Sequence, residues 1–149
     1  TPIPRTLAMT VYGDLDVSVI DALPPGRQTV RSFLFSSEER EEAYRLVHEQ
    51  VRLGHQAYMV YPLVEESEKV DLQAAVQAAE ELQAGPFKTA RVGILHGRMP
   101  AEERDATMAA FQRGEIQVLV ATTVIEVGVD VPNATIVMIE HAERFGLAQ

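Results

Sequence analysis

The sequence contains no cysteine and no tryptophan, and its 13 Lys and Arg residues are outnumbered by 22 Asp and Glu. The absence of cysteine excludes a disulfide-bonded scaffold, a cysteine-ligated zinc site and a thiol nucleophile. It also fits a reducing compartment, so we expect a cytoplasmic protein. No apolar run approaches the roughly 20 residues that cross a membrane, and we expect no membrane partner. The net charge of −9 argues against a freestanding binder of polyanions.

The acidic charge is concentrated in the middle of the chain. Residues 32–84 hold four basic and eleven acidic residues, whereas residues 85–149 hold six and eight. The C-terminal half is therefore nearly neutral and can still offer a local phosphate site. With 149 residues, 46% of them hydrophobic, the chain is long enough and apolar enough for one domain with a buried core.

The first residues, Thr1 to Pro4, include two prolines and no methionine, so we expect that the chain begins inside a longer protein. Residues 15–20 alternate in polarity as a strand does, and Pro24-Pro25-Gly26 then interrupts the pattern. We therefore place a boundary near Arg27. The predicted domains are residues 1–28, which form a tail and linker, and residues 29–149, which form one unit.

Strand and helix patterns alternate after this boundary, which predicts a three-layer α/β fold with a mostly parallel sheet and helices on both faces. The predicted strands are Thr29–Phe35, Ala57–Leu63, Arg91–Leu95, Ile116–Ala121 and Ala134–Ile139. The predicted helices run from a capping box at Ser36–Glu39 to Leu53, from a cap at Asp71 to Gly85, and from Pro100 to Arg113. Because Ile116–Ala121 is almost entirely apolar, we expect it to be a central strand.

Two loops that follow predicted strands carry the candidate chemistry, because ligands of open α/β sheets bind beyond the carboxyl ends of the strands. The first is His96–Pro100, before a helix N-terminus where free amides favour anions. Gly97 would let a phosphate approach the backbone, and Arg98 adds a guanidinium. The alternative interpretation is an ordinary strand-to-helix turn in which Gly97 only satisfies geometry.

The second loop is Thr122–Asp130, which leaves the most apolar strand. Two hydroxyls, from Thr122 and Thr123, suit phosphate contacts, and Glu126, Gly128 and Asp130 follow at alternate positions. The alternative is a short capped helix that ends at Gly128.

Several kinds of site are missing from the sequence. There is no G-x-x-x-x-G-K-[ST] phosphate loop, no serine framed as a nucleophile, and no histidine spacing typical of zinc. We therefore predict no catalytic residue and no metal ligand in this chain, which by itself should not hydrolyse a nucleotide.

Beyond these patterns, the segment VLVATTVIEVGVDVPN at 118–133 resembles motif V of superfamily 2 helicases, in the version shared by RecG and the transcription-repair coupling factor. The opening TPIPRTLAMTVYGDLDVSVIDALPPGR resembles the RecG form of motif III, and YPLVEESEKVDLQAA resembles its motif IV region. HGRM at 96–99 and IEHAERFGLAQ at 139–149 resemble the following motif and the approach to motif VI. The resemblance to the RecG family covers the whole chain in the expected order.

This resemblance implies a RecA-like fold: residues 29–149 would be most of the second motor domain, joined to the tail of the first. It also implies roles for individual residues. Gly128 and Asp130 would contact the nucleotide, and Glu126 and Thr1 would couple hydrolysis to movement. The DNA contacts would be Gly97, Arg98, Thr122 and Thr123. Tyr61 holds a motif IV position without an assigned role.

The activity that the resemblance implies is an ATP-dependent DNA helicase that remodels branched DNA, such as stalled forks and Holliday junctions, in recombination and repair. ATP and Mg²⁺ would be bound mainly by the first motor domain, which is an expected partner together with the wedge domain and branched DNA. Motif VI would follow Gln149. The alternatives are the equivalent domain of a transcription-repair coupling factor and a non-enzymatic, receiver-like α/β module. The carboxylates sit mostly at helix starts, which disfavours the receiver.

Overall fold

A computed structural model of the chain describes residues 29–62, 68–122 and 131–144. The chain divides into two compact units, one formed by residues 1–34 with 146–149 and the other by Phe35–Phe145. Of the first unit, residues 29–34 are described. The strand predicted at 15–20 and the boundary predicted near Arg27 lie outside the described residues.

Strands and helices alternate along the described part of the second unit, as the sequence predicts. The helices are α1 (Arg40–Arg52), α2 (Glu68–Ala84) and α3 (Ala101–Gln112), and the strands are β1 (Gln56–Tyr61), β2 (Val92–Leu95), β3 (Val118–Thr122) and β4 (Ala134–Ile139). Short 3-10 turns lie at Ser37–Glu39 and Ala142–Arg144. None of the helices described in these ranges is long and apolar enough to pass through a bilayer.

The four described strands form one sheet in the order β2-β3-β1-β4, and every neighbouring pair is parallel. In this register Tyr61 of β1 lies beside Thr122 of β3, and Leu95 of β2 lies beside Ala121. The connections from β1 to β2 and from β2 to β3 carry α2 and α3, in keeping with the crossover that parallel strands require. The α/β fold with a parallel sheet and flanking helices is confirmed.

The core has two parts, one on each face of the sheet. On one face α1 and α2 cover a cluster that contains Val47, Leu82, Phe87, Met59 and Val120. On the other face α3 covers a cluster that contains Phe111, Met99, Ile116 and Leu119. Buried apolar surface on both faces is the main source of stability for such a layered domain.

Strand β3 is the central strand that the sequence predicts, because all five of its residues are buried between β2 and β1. Packing around it leaves little space. A Cβ atom added to Gly93 of β2 would lie 2.8 Å from Cδ1 of Ile116. Glycine at position 93 therefore allows the segment that enters β3 to pack closely against β2.

The ends of the helices follow the predicted signals. The carboxylate of Glu39 accepts hydrogen bonds from the backbone N–H and the hydroxyl of Ser36, at 2.8 and 2.9 Å, so the predicted capping interaction is present. After α1 and α3 the chain turns at Gly54 (φ 90°) and Gly114 (φ 74°). These left-handed conformations favour glycine, which has no Cβ to clash.

Gln56, at the start of β1, is a buried polar residue that joins distant parts of the chain. Its side chain is 2% exposed, and its Nε2 donates hydrogen bonds to the carbonyl oxygens of Phe111 (2.5 Å) and Ile116 (2.7 Å). The amide of Gln56 therefore fastens the end of α3 and the entry to β3 onto β1.

Two local predictions are wrong. Residues 29–36 form no strand, and the side chains of Val30 and Leu34 are 73% and 92% exposed. β-branched and aromatic residues form a strand only where a neighbouring strand pairs with them, and none of the described strands pairs with 29–35. The second error concerns Asp71, which lies inside α2 because that helix already begins at Glu68.

Candidate functional site at the carboxyl edge of the sheet

The carboxyl ends of all four described strands lie at one edge of the sheet because the strands are parallel. Tyr61, Leu95, Thr122 and Ile139 are the last residues of these strands. Ligands of open α/β sheets bind beyond this edge. The two candidate loops begin here, and a group of residues that the sequence reasoning missed lies here as well.

The loop after β2 exposes Gly97 and Arg98 while its two sides are anchored. The backbone N–H of Arg98 donates to Nδ1 of His96 at 3.2 Å, and the N–H of Met99 donates to the carbonyl of His96 at 3.2 Å. The side chain of Met99 is buried in the core beneath α3. This anchoring holds an exposed glycine and an exposed guanidinium next to the N-terminus of α3, a suitable arrangement for a phosphate group.

The predicted phosphate contact Thr122 lies deeper than its assigned role suggests. Its side chain is 1% exposed, and its hydroxyl has no hydrogen-bond partner within the described residues. A DNA strand could reach this hydroxyl only if the groups that cover it moved. The hydroxyl of Tyr61, its neighbour on β1, is likewise buried and makes no hydrogen bond of good geometry there. An unsatisfied buried hydroxyl such as that of Thr122 costs about 1–3 kcal/mol, so Thr122 marks this edge as a place where a polar partner is favoured.

Glu140, directly after β4, is the centre of a polar cluster at the same edge. The residue is 8% exposed, and its Oε1 accepts hydrogen bonds from Nε and Nη2 of Arg40 at 3.1 and 3.0 Å. The hydroxyl of Tyr44 donates to the same oxygen at 3.1 Å. The guanidinium of Arg40 also lies over the ring of Tyr44, 5.4 Å from its centre. A buried carboxylate is tolerated here because α1 supplies both a positive charge and a hydroxyl donor.

The electrostatics of this cluster favour one set of protonation states. Burial raises the pKa of Tyr44, and the nearby Glu140 carboxylate raises it further. The pKa of Tyr61 is raised for the same two reasons. Burial is the largest single effect on the pKa of Arg40 and would lower it, but the charge of Glu140, the hydrogen bond to it and the neighbouring Tyr44 and Tyr61 together outweigh burial, and the pKa is raised. Both phenols therefore remain neutral, and Arg40 remains charged, throughout the neutral pH range.

A cavity of about 270 Å³ opens beside this cluster. Residues from α1, α2, the end of β1 and the turn after β4 line it: Arg40, Tyr61, Pro62, Ala75, Gln77, Ala78, Glu81, His141 and Arg144. His141 has a φ of 50°, the only positive φ of a non-glycine residue among the described ranges. This conformation costs an L-residue roughly 1–2 kcal/mol, so the surrounding contacts must hold it in place.

The remaining predicted site residues lie outside the described residues. They are Thr1, Thr123, Glu126, Gly128 and Asp130. Their roles stay predictions. Within the described ranges, no group of three or more His, Asp or Glu side chains is placed so that it could hold a metal ion.

Comparison with known proteins agrees with the resemblance to RecG helicases along the whole chain. Residues 36–148 match the family model of the helicase conserved C-terminal domain. The chain is 50% identical over 149 residues to the ATP-dependent DNA helicase RecG of Synechocystis sp. and 53% identical over 150 residues to that of Escherichia coli K12. Both alignments cover 100% of this chain but only 18% and 22% of the relatives, so the chain spans about a fifth of their length.

A solved structure agrees with this match. The structure of RecG bound to a three-way DNA junction superposes on 99% of this chain, and on 19% of that protein, with a TM-score of 0.79 and 46% identity. The RecA-like fold and the resemblance to RecG are therefore confirmed. The chain belongs to the helicase conserved C-terminal domain family, and along its whole length its sequence is similar to that of RecG helicases.

Proposed function

We propose that this chain is the greater part of the second motor domain of an ATP-dependent DNA helicase that unwinds and remodels branched DNA, such as stalled forks and Holliday junctions, in recombination and repair. The observation that carries the proposal is identity of 50% and more to RecG helicases over the full length of the chain. A RecG relative has been solved on a three-way DNA junction, which supports a branched substrate.

In this proposal the loop after β2 grips one DNA strand through its phosphates. Gly97 and Arg98 are exposed and lie next to the N-terminus of α3. Glu102 and Glu103 occupy the first turn of α3 and partly offset its dipole. The grip is therefore local: the loop backbone and one guanidinium contact a phosphate, and the acidic surface elsewhere repels DNA.

The segment Thr122–Asp130 would connect the DNA to the nucleotide. Thr122 and Thr123 lie at its start, where DNA phosphate would bind once the groups that cover Thr122 have moved. Gly128 and Asp130 lie at its end, where the nucleotide would bind, with Glu126 between them. Because one short stretch of backbone serves both sites, a movement at one site is transmitted to the other.

ATP would be bound mainly by the first motor domain, which Thr1 would help to couple to this one. Mg²⁺ would be bound mainly in the first domain as well. The nucleotide supplies the energy of phosphoryl transfer, and this chain's residues close on it and hold DNA. The proposed protein acts in the cytoplasm together with its wedge domain.

The test is Gly128→Val in the full-length protein, with Gly54→Asn as the control. Gly54 follows α1 at the opposite edge of the sheet, and asparagine tolerates its left-handed conformation. A side chain at position 128 would strain the turn or block close approach to the nucleotide. We expect normal thermal unfolding for both variants, whereas DNA-stimulated ATP hydrolysis and fork unwinding collapse only in Gly128→Val. Parent-like unwinding by a folded Gly128→Val protein would show that this segment has no part in the motor.

A further inference from the structure

We propose that Glu140 is a positioning residue: its buried carboxylate, held by Arg40 and Tyr44 of α1, fixes the turn through which the chain leaves β4 at the carboxyl edge. The inference rests on the proposed helicase function and adds a residue to its machinery. Within the described residues, the hydrogen bonds of Glu140 go to α1 and β1, so it would act through the 141–144 turn.

Both ends of Glu140 are tied to other elements. Its backbone N–H donates to the carbonyl of Val60 at 2.9 Å, which continues the pairing of β4 with β1. Its side chain faces α1, where Oε1 receives three hydrogen bonds from two residues. The position and direction of the chain at residue 140 are therefore set by the sheet and by a helix at once.

His141, the next residue, has a strained backbone conformation that the contacts of Glu140 help to maintain. His141 adopts a φ of 50°, and the N–H of Arg144 then closes the turn by donating to the carbonyl of His141 at 2.9 Å. Strained backbone persists where its surroundings over-determine it, and it concentrates at functional sites. Here it directly follows the buried carboxylate at the carboxyl edge of the sheet, where ligands of this fold bind.

The turn also places two side chains at the cavity. His141 and Arg144 line the cavity of about 270 Å³ together with Arg40, the residue that holds Glu140. Loss of the carboxylate would release Arg40 and relax the turn in the same step. We therefore expect the placement of residues 141–144 to depend on the charge of Glu140. The placement of the loops after β2 and β3 should not depend on it.

The first experiment measures the turn itself, without ATP or DNA. Hydrogen–deuterium exchange of a peptide that spans 139–145 is compared in the full-length parent, in Glu140→Gln and in Glu143→Gln. Glu143 lies in the same turn, its side chain is 72% exposed, and its carboxylate lies 3.4 Å from Nδ1 of His141 without reaching α1, so it is a matched control. We expect exchange at least 10-fold faster in Glu140→Gln and unchanged in Glu143→Gln. Equal protection in Glu140→Gln and the parent would overturn the inference.

The second experiment separates positioning from mere stability. In Glu140→Gln and Arg40→Met we expect the kcat of DNA-stimulated ATP hydrolysis to fall at least 10-fold, with the KM for ATP and the Kd for a DNA junction within twofold of the parent. Tyr44→Phe, which removes one hydrogen bond, should lower kcat by a smaller factor. It can still be measured if Glu140→Gln and Arg40→Met fold poorly. Losses of kcat, KM and Kd that merely follow the unfolded fraction would refute a positioning role.

The result for the parent distinguishes the two proposals. A parent protein without DNA-stimulated ATP hydrolysis would refute the proposed function, and this inference with it. An active parent combined with a parent-like Glu140→Gln protein would overturn the inference alone.

Discussion

Replacing Gln56 with methionine tests the long-range packing of the domain. Methionine has nearly the same length and shape but donates no hydrogen bond. In the parent, Nε2 of Gln56 donates to the carbonyls of Phe111 and Ile116, both in the buried region between α3 and β3. The Phe111 carbonyl keeps a second donor, the N–H of Gly114 at 2.9 Å.

The expected loss follows from these contacts. A buried carbonyl that loses its donor costs about 1–3 kcal/mol, which applies to Ile116. A carbonyl that keeps one partner, as Phe111 does, loses only the net value of one hydrogen bond, about 0.5–1.5 kcal/mol. We therefore expect Gln56→Met to lower the free energy of unfolding by about 2–4 kcal/mol, a large part of the roughly 5–15 kcal/mol typical of a domain.

Equilibrium urea unfolding of the chain measures this loss. With a slope of about 2 kcal/mol per molar urea, the midpoint should fall by about 1–2 M. Gln112→Met, at the exposed end of α3, is the control and should change stability by less than about 0.5 kcal/mol. If Gln56→Met lost no more than the control, the two hydrogen bonds would not hold α3 and β3 to β1, and the account of the core would be wrong.

Three further predictions concern packing, pH and DNA. Gly93→Ala should destabilise the domain by about 1–3 kcal/mol, because the added Cβ meets the side chain of Ile116. In a double-mutant cycle, Ile116→Val should recover more than about 0.5 kcal/mol of that loss. Strictly additive free energies of unfolding would rule out the clash. Because folding raises the pKa of Tyr44, its stabilising contribution is complete below its unfolded pKa of about 10 and is lost as the pH rises above that value. Between pH 9 and 11 the urea midpoint should therefore fall less steeply with pH in Tyr44→Phe than in the parent. An identical pH dependence in the two proteins would count against the raised pKa. Arg98→Ala in the full-length protein should weaken DNA binding and reduce the steepness of log K for DNA binding against log salt by about 0.7 for single strands or 0.9 for duplex. The control Arg113→Ala should leave this salt dependence unchanged. An unaltered salt dependence in Arg98→Ala would remove that residue from the DNA interface.

Much of the fold could be predicted because its signals are local. The helix stops at Gly54 and Gly114 follow from the backbone freedom of glycine, and the capping interaction of Ser36 with Glu39 spans three residues. The continuous apolar run of β3 indicates burial on both faces. Each of these features depends on neighbours in sequence, which a reader of the sequence can see.

The errors and omissions concern tertiary contacts. The composition of 29–35 favours a strand, but composition cannot supply a partner strand. Gln56 is separated by 55 residues from Phe111, and Glu140 by 100 residues from Arg40, so no spacing rule connects them. A weak signal for Glu140 existed, since an acidic residue directly after an apolar strand of a parallel sheet lies at the ligand edge.

In the candidate site, too, the features that depend on local sequence could be predicted and those that depend on tertiary packing could not. Gly97 and Arg98 were predicted from a strand-to-helix loop, and the structure places them exposed at the carboxyl edge. The burial of Thr122 could not be predicted, because it depends on tertiary packing at the end of the central strand. Assigning a hydroxyl to DNA by its position in a motif does not show whether it is accessible.

The most direct test of the central claim is dissociation of a three-way DNA junction by the full-length protein, measured with ATP, with a non-hydrolysable ATP analogue, and on a linear duplex of the same length. We expect the junction to be unwound only with ATP, and much faster than the linear duplex. Unwinding that needs no hydrolysis, or a junction that stays intact while ATP is available, would contradict the claim that this chain is part of a motor for branched DNA.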